Sequence, residues 1–406
     1  MDPRFRTAFN AAYTPAIYQK YLATLSARLG VKFEFRNAET PVFFPAEVRD
    51  RFATAAREIV AQLRDPARLQ RMRSAIPAQW DTPGMDADSS FTQIDLAVVQ
   101  APDGTYVPKL IELQGFPSLS ALKLLSTDVW AEIMAGMPGL GRRWSSWFSG
   151  TRADYLDLAR RTIVGRHDPR HVILMDLDPP TQKTLPDFVA TKQLFGVDAV
   201  CPTTLIKQGR TLWRPDPAGK GLLPVRRIYN RVVFDELIRK GTRIPFDYRE
   251  ELDVEWTPHP NWYWVWSKNS LPFLDHPAVP RARLLSEFGE LPPDPARTHV
   301  LKPLFSFAGC GVNVEPTRAD IDRIPAQDRS SWCLQEKIEY APCLRTPTGE
   351  GVKVEIRMMF LEPPDAPDPV LSMNLCRLSR GKLHGVDWNK DFTWVGSTVG
   401  LWADEA

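Results

Sequence analysis

The stretch FTQIDLAVVQAPDGTYVPKLIELQGFPSL, at positions 91–119, predicts two apolar strands joined by a tight Pro-Asp-Gly turn. The first strand carries Asp95, and the second carries Glu112 and Gln114, which point to one face because they are two residues apart. Three oxygen-bearing side chains in a mostly apolar sheet either surround a cation or face solvent. Hard oxygen ligands favour Mg²⁺ or Mn²⁺. The hairpin therefore predicts a metal site, or else the solvent face of a two-sided strand.

The whole chain has 406 residues, too many for one simple core, so we expect two or three packed subdomains. Its 51 Lys and Arg nearly balance its 49 Asp and Glu, and this net charge of +2 argues against nucleic acid or an anionic membrane as a partner. The five scattered cysteines favour a reducing cytosol. The sequence has no apolar signal core and no run of about 18 apolar residues, so we expect a cytoplasmic protein without a membrane span.

The apolar pattern divides the chain into three parts. Positions 1–165 are mainly helical around the hairpin, and Ala46–Leu63 is the clearest amphipathic helix. Positions 166–245 alternate strand, helix and strand from the buried run HVILM onward, which predicts a small Rossmann-like layer. Positions 246–406 are α+β. The strands expected there are 298–302, 332–336, 353–361 and 370–379.

Small residues follow the expected strand that ends at Lys302, in the segment THVLKPLFSFAGCGVNVEP. Ser306, Gly309 and Gly311 allow backbone N–H groups to close on phosphate oxygens, and the lysine adds a positive charge. The glycines lie between two expected strands, the second at 312–314, so the segment is not a Walker A loop. It predicts either a hairpin lid over phosphates or an ordinary hairpin with a glycine bulge.

The strand WCLQE runs into Gln335, Glu336, Lys337 and Ile338. Such a strand end can offer backbone donors and acceptors to an adenine edge while apolar side chains enclose the ring. Glu336 or Glu339 could then bind ribose hydroxyls. The alternative is a strand with a solvated, charged end.

Three further cations lie in apolar segments. Arg357 in KVEIRMMF and Arg377 in VLSMNLCRLSRG are expected to meet a carboxylate or a phosphate, because burying an unpartnered guanidinium is costly. Lys268 closes the aromatic segment NWYWVWSK. A structural salt bridge is the alternative for the arginines, and a solvated edge position is the alternative for the lysine.

Taken in order, these motifs resemble the circularly permuted ATP-grasp enzymes, especially the ligase domain of glutathionylspermidine synthase. The matching features are Asp95, then Glu112-Leu-Gln114 before Gly-Phe-Pro-Ser, then Arg231 before an acidic stretch, then the Lys-Pro glycine-rich loop. The carboxylate strands precede the glycine loop, which reverses the ordinary ATP-grasp order. The resemblance implies an α+β, circularly permuted ATP-grasp fold with a Rossmann-like pre-ATP-grasp subdomain. The sequence departs from the family at Gln114, where Asn is expected, and at Gln93, where arginine is common.

The resemblance further implies an ATP-dependent carboxylate–amine ligase that forms an amide or peptide bond through an acyl phosphate. ATP and Mg²⁺, or Mn²⁺, would be its cofactors. The site residues that it implies are Asp95, Glu112 and Gln114 for the metal, Lys268, Lys302, Ser306, Gly309 and Gly311 for the phosphates, Gln335, Glu336, Lys337 and Ile338 for the adenine, and Arg231, Arg357 and Arg377 as catalytic residues.

The expected partners are a carboxylate and an amine, each a small molecule or a peptide, and a homodimer is the base-rate assembly. Two alternatives stay open. One is a decayed, non-catalytic ATP-grasp module, which Gln93 and Gln114 favour. The other is an ATP-grasp phosphotransferase, although the six scattered histidines count against a dikinase. The sequence names neither the acid nor the amine.

Overall fold

The fold is mixed α+β, and the computed structural model describes residues 1–306, 309–381 and 389–403. The α-helices in these ranges are α1 Pro3–Ala12, α2 Pro15–Leu29, α3 Ala46–Leu63, α4 Pro66–Arg73, α5 Ser120–Ala135, α6 Arg152–Ile163, α7 Leu185–Phe195, α8 Phe234–Lys240, α9 Trp262–Val265, α10 Pro295–Thr298 and α11 Arg318–Asp322.

The same ranges contain strands that form five sheets. These strands are β1 Val42–Phe43, β2 Phe91–Gln100, β3 Tyr106–Gln114, β4 Trp144–Ser145, β5 Val172–Met175, β6 Asp198–Val200, β7 Ile206–Gln208, β8 Thr211–Pro215, β9 Leu222–Pro224, β10 Arg227–Asn230, β11 Glu255–Thr257, β12 Ala282–Leu284, β13 His299–Pro303, β14 Trp332–Glu336, β15 Leu344–Arg345, β16 Gly351–Leu361, β17 Val370–Ser379, β18 Gly396–Thr398 and β19 Gly400–Ala403.

The central sheet is antiparallel and has the order β18-β17-β16-β2-β3, with β15 paired to β16. The predicted hairpin is β2 and β3, which confirms the two strands read from the sequence. The long strand β16 pairs with β2 so that Arg357 lies opposite Asp95, and Asp95 lies opposite Glu112 across the hairpin. The sheet thus aligns residues that are more than two hundred positions apart in the chain.

The Rossmann-like layer is a four-stranded parallel sheet with the order β11-β10-β5-β6. Its crossover helix α7 has a proline in its first turn and ends at Gly196, whose φ of 74° is the left-handed conformation that glycine adopts readily. In this sheet β6 lies on one side of β5, and β10, the next strand of the sheet along the chain, lies on the other side of β5. The direction in which the chain adds strands therefore reverses between β5 and β10. The predicted βαβ unit is therefore present.

The remaining sheets are smaller. The strand order β12-β14-β13 forms an antiparallel sheet over the third of three hydrophobic clusters. The strand predicted at 312–314 is wrong, because the described part of that segment makes only a single bridge between Leu301 and Asn313. Sheets of order β7-β8-β9 and β1-β19-β4 complete the strand set of the described ranges. The domain boundaries near 165 and 245, which separate 1–165, 166–245 and 246–406, stay predictions.

Gly115 brings the central sheet against the aromatic helix α9. A Cβ at this position would lie 3.0 Å from the carbonyl oxygen of Trp262 and 3.1 Å from the Cβ of Trp266, so only glycine fits without displacement. The Gly115 N–H also donates to the Trp266 carbonyl at 2.7 Å. This contact fixes the end of β3 beside Lys268. Within residues 1–306, 309–381 and 389–403, no helix is long and apolar enough to cross a membrane.

Candidate active site

A cavity of about 280 Å³ lies between the end of β3 in the central sheet and the carboxyl ends of β5 and β10 in the parallel sheet. Side chains from distant parts of the chain line it together. Of the residues predicted from the sequence, the cavity is lined by Glu112, Gln114, Arg231, Lys268, Ser306, Arg357 and Arg377. The structure therefore brings most of the predicted metal, phosphate and catalytic residues to one place, although their chemical roles remain predictions.

Asp95 is held by two arginines. The Nε and Nη2 atoms of Arg357 donate to its Oδ1 and Oδ2, each at 2.6 Å, and Arg377 Nη2 also donates to Oδ2. The Asp95 side chain is only 2% exposed. A bidentate guanidinium–carboxylate pair of this kind is both strong and directional. Arg357 and Arg377 were expected to bind a carboxylate or a phosphate, and both bind a carboxylate of this chain.

Arg377 extends the network away from Asp95. Its Nη2 lies 2.6 Å from Glu355 Oε1, and the hydroxyl of Tyr340 donates to Glu355 Oε2 at 2.9 Å. Burial, followed by the charge of Glu355, raises the pKa of Tyr340 well above its usual value. Burial alone would lower the pKa of Arg377, but Asp95 and Glu355 raise it, so this arginine stays charged. The sequence reading did not single out Glu355 or Tyr340.

Gln93 and Gln114 form a second link to Arg357. The Oε1 atom of Gln93 accepts from Arg357 Nη1 at 2.9 Å and from Gln114 Nε2 at 3.1 Å. Gln114 Nε2 also donates to the Phe116 carbonyl at 2.8 Å. The two positions that depart from the family pattern are therefore hydrogen-bonded to each other, and together they orient a buried guanidinium.

The predicted three-oxygen metal set does not fit a metal ion in this arrangement. Both oxygens of Asp95 are already bound by guanidinium groups. Only Glu112, whose side chain is 24% exposed, and the amide oxygen of Gln114 remain for a cation. Among the described residues, no group of three or more His, Cys, Asp or Glu side chains is arranged to hold a metal. The metal role of Asp95, Glu112 and Gln114 stays a prediction that this geometry does not favour.

Two lysines complete the cationic side of the site: Lys268 lines the cavity, and Lys302 lies close to Glu112 without lining the cavity. Lys268 Nζ donates to the Ser306 carbonyl at 2.5 Å and lies 3.4 Å from Glu112 Oε2. Lys302 Nζ donates to the Ile111 carbonyl at 2.7 Å and to Gln335 Oε1 at 2.6 Å. Burial lowers the pKa of Lys302, although Glu112 opposes this effect.

Glu112 is the carboxylate at the centre of these cations. Burial alone would raise its pKa, but Lys268 first and then Arg377, Arg357 and Lys302 lower the pKa to about 2. Glu112 is therefore ionised at neutral pH. Three acids, Asp95, Glu112 and Glu355, thus face four cations, so this side of the cavity carries a positive surplus that suits an anion.

The glycine-rich loop reaches the cavity through Ser306. Its Oγ is buried and has no hydrogen-bond partner in the described part of the chain. Gly309 and Gly311 have φ values of 74° and 73°, which favour glycine. Positions 307–308 of the predicted loop lie outside the described residues. The predicted backbone contact of these residues with phosphates stays a prediction.

The predicted adenine segment follows β14. The N–H groups of Glu336 and Lys337 already donate to the carbonyls of Arg281 and Thr298, each at 2.8 Å. The N–H of Ile338 makes no hydrogen bond within the described ranges. Gln335 is buried, and its side chain binds Lys302 instead of pointing to solvent. If this segment holds an adenine, Ile338 is its available backbone donor.

The opposite side of the cavity lies at the reversal point of the parallel sheet. Asp176 directly follows β5 and Arg231 directly follows β10, and both line the cavity. Arg231 Nη1 donates to the fully buried Asp187 at 2.7 Å, so this predicted catalytic residue also joins β10 to α7. The sequence reading missed Asp176. Its position immediately after the buried strand HVILM was the available signal, because ligands bind at the carboxyl ends of parallel strands.

No protein-family model matches the sequence, and no curated protein matches it. Among solved structures, the fold is similar to that of a glutathione synthetase-like effector (GSS30) from Globodera pallida in its apo form. The TM-score is 0.58, and the match covers 96% of this chain and 97% of that chain at 12% sequence identity. This chain has a glutathione synthetase-like fold. At 12% identity the similarity concerns the fold alone. It shows neither a circular permutation nor a catalytic activity.

Proposed function

We propose that the protein is an ATP-dependent carboxylate–amine ligase of the ATP-grasp kind, circularly permuted, which forms an amide or peptide bond through an acyl phosphate. The observation that carries the proposal is the convergence of Lys268, the Ser306 carbonyl, Glu112 and two arginines on one cavity. The glutathione synthetase-like fold supports it as a matter of architecture.

ATP, when bound, supplies the phosphoryl group that activates a substrate carboxylate. The protein contributes charge and position, which are the main requirements of phosphoryl transfer. In the proposed role, Lys268 and Lys302 bind phosphate oxygens, and Arg357 and Arg377 stabilise the transferring group or the substrate carboxylate. The pairs with Asp95 hold both arginines rigid before a ligand arrives, so little reorganisation is needed.

One observation favours a second candidate, a non-catalytic nucleotide-binding or peptide-binding module. Asp95, which resembles a metal ligand in sequence, is fully occupied by arginines. A site that binds anions through fixed cations could bind a nucleotide without turning it over. ATP consumption separates the two candidates, and binding alone does not.

The experiment is an ADP-release assay with panels of carboxylates and amines, run with Mg²⁺, with Mn²⁺ and with a chelator. Hydroxylamine is added in parallel because it traps an acyl phosphate as a hydroxamate. The ligase predicts carboxylate-dependent ADP release and hydroxamate formation. ATP binding without turnover under every condition would leave the non-catalytic module, and failure to bind ATP would end the ligase and the nucleotide-binding module together.

The matched variants are Lys302→Met and Lys109→Met. Lys302 lies in the candidate site, and Lys109 on β3 donates to the Pro277 carbonyl at 2.7 Å. We expect the first to lower turnover by about 100-fold, as loss of one preorganised donor does, and the second to leave it unchanged. Lys302→Met also leaves Gln335 Oε1 and the Ile111 carbonyl unpaired. Thermal unfolding of both variants must therefore accompany the assay.

A further inference from the structure

Asp176 is a buried carboxylate that the proposed phosphoryl-transfer chemistry does not use. It lines the cavity at the end of β5, and the residue is 5% exposed. Its Oδ1 accepts from the N–H of Leu177 at 2.8 Å. Within the part of the chain that the structure describes, no Lys, Arg or His forms an ion pair with it. A buried carboxylate without a cationic partner is costly unless a ligand supplies the charge.

The neighbouring acid does not share this property. Glu236 also lines the cavity, but its carboxylate pairs with Lys240 at 2.6 Å and accepts from Gln182 Nε2 at 3.3 Å. On the other side of the cavity, Asp95 and Glu112 have guanidinium and ammonium partners. Among the described residues, Asp176 is thus the carboxylate lining the cavity that has no ion-pair partner.

The topology places Asp176 where a ligand is expected. The order of the parallel sheet reverses between β5 and β10, and Asp176 and Arg231 follow these two strands. In open parallel sheets, the crevice at this reversal is the usual ligand-binding position. Here the crevice is continuous with the cationic site, because one cavity contains both Asp176 and Glu112.

We propose that Asp176 forms the amine end of the cavity, where it binds the ammonium group of the amine substrate. The cationic side then takes the phosphates and the carboxylate, and charge alone orders the two substrates. The amine therefore binds as a cation, which excludes neutral nucleophiles such as alcohols as the natural acceptor. This inference rests on the proposed ligase function for the identity of the ligand, but its binding test does not need turnover.

The groups that face Asp176 are consistent with a site for one positive charge. Arg231 after β10 and Lys240 on α8 contribute positive potential, and Glu236 on α8 contributes negative potential. Burial, and then Asp176, raise the pKa of Tyr248, which keeps that hydroxyl neutral. Burial raises the pKa of Asp176 to about 7, and Arg231 opposes the shift. An ammonium ligand would favour its ionised form.

The test is calorimetric titration with n-propylammonium chloride, compared with 1-propanol at the same ionic strength. The variants are Asp176→Asn and, as a matched control, Asp178→Asn. Asp178 lies two positions further along the same loop but lines a different cavity, and its left-handed conformation is one that asparagine tolerates. Binding is measured without nucleotide.

We expect the wild-type protein and Asp178→Asn to bind propylammonium equally. Asp176→Asn should bind propylammonium at least about tenfold more weakly than the wild type does, because it loses a charged hydrogen bond. The wild type should bind 1-propanol no more tightly than Asp176→Asn binds propylammonium. Each of three results would overturn the proposal. They are an affinity of Asp176→Asn for propylammonium equal to that of the wild type, an affinity of the wild type for 1-propanol equal to its affinity for propylammonium, and no binding of propylammonium to the wild type.

A measurement on the wild-type protein covers the case in which Asp176→Asn does not fold. With ¹³C-labelled aspartate, infrared difference spectra near pH 6 should lose C=O intensity of protonated aspartic acid when propylammonium is added, and 1-propanol should leave that intensity unchanged. Burial also raises the pKa of Asp86, to about 6, so a part of the band should persist. No loss of intensity on adding the amine overturns the proposal. Amine binding through Asp176 without ATP turnover would end only the ligase function, whereas hydroxamate formation without amine binding at Asp176 would end only this inference.

Discussion

Glu112 and Asp176 are carboxylates that line the same cavity, yet the protein drives their pKa values in opposite directions. Four cations lower the pKa of Glu112 to about 2, whereas burial raises that of Asp176 to about 7. The difference comes from the partners, because burial acts on both groups. A cavity with one cationic side and, opposite it, one acid that has no ion-pair partner can distinguish an anionic ligand from a cationic one.

The largest expected effect concerns the cationic side. Asp95→Asn should lower the free energy of unfolding by about 3–5 kcal/mol, because it leaves the buried guanidinium of Arg357 without its carboxylate and removes one of the two carboxylates that pair with Arg377. Chemical denaturation in the presence of a chelator measures this. The control is Asp157→Asn, which removes an exposed pair with Arg161 and should cost at most about 1 kcal/mol. Wild-type-like stability of Asp95→Asn without metal would favour the metal-ligand prediction instead.

The two carboxylates also predict opposite pH dependences of stability. Glu112 has a lowered folded pKa, so its contribution is present above its ordinary value of 4.5 and is lost as the pH falls toward 2. Asp176 has a raised folded pKa, so its protonated form stabilises the fold below 3.8, and this contribution declines as the pH rises toward 7. The decline amounts to at most about 4 kcal/mol.

Urea unfolding of the wild-type protein and of Asp176→Asn, measured from about pH 4 to pH 7, tests the prediction for Asp176. The variant should lose the part of the decline between about pH 4 and pH 7 that Asp176 causes, since its amide does not titrate, while the parts that come from Asp86 and Glu362 remain. Persistence of the whole decline in the variant would mean that Asp176 ionises normally, and the contrast between the two sides of the cavity would disappear.

A smaller effect is expected on catalysis at the amine side. Once an acid and an amine have been identified, Asp176→Asn should lower amide formation by about 100-fold, because the carboxylate that binds the ammonium is also the nearest acceptor for its proton. Hydroxamate formation should persist, because hydroxylamine is neutral and needs no such acceptor. Asp178→Asn should change neither rate. Equal losses of both reactions would assign Asp176 to phosphoryl transfer or to folding.

The smallest effect tests how rigidly the cationic side is held. Gln93→Met removes the acceptor for Arg357 Nη1 and for Gln114 Nε2, while it keeps the length of the side chain. We expect a loss of about 1.5 kcal/mol in anion binding, equivalent to about tenfold in affinity for tripolyphosphate. Surface plasmon resonance or calorimetry measures this. Unchanged affinity would mean that Asp95 alone positions Arg357.

Local patterns predicted much of the fold. The hairpin strands, the helix Ala46–Leu63, the strand HVILM and β14 lie where their apolar spacing and turn residues place them. The strand expected at 312–314 failed because this short segment, two valines around an asparagine, makes only one bridge, between Asn313 and Leu301. A short run cannot reveal whether a neighbouring strand is available to pair with it.

Sequence patterns alone identify which residue types the site contains and which of them share a face within one hairpin, because a two-residue period sets the side of a strand. Their partners follow from the way distant segments pack together. The pairing of β16 with β2 places Arg357 on Asp95 and takes that acid from a metal, and the pairing of β5 with β10 brings Asp176 into the same cavity. Both outcomes depend on contacts between distant segments, and their electrostatics follow from burial and neighbours that the linear chain does not contain.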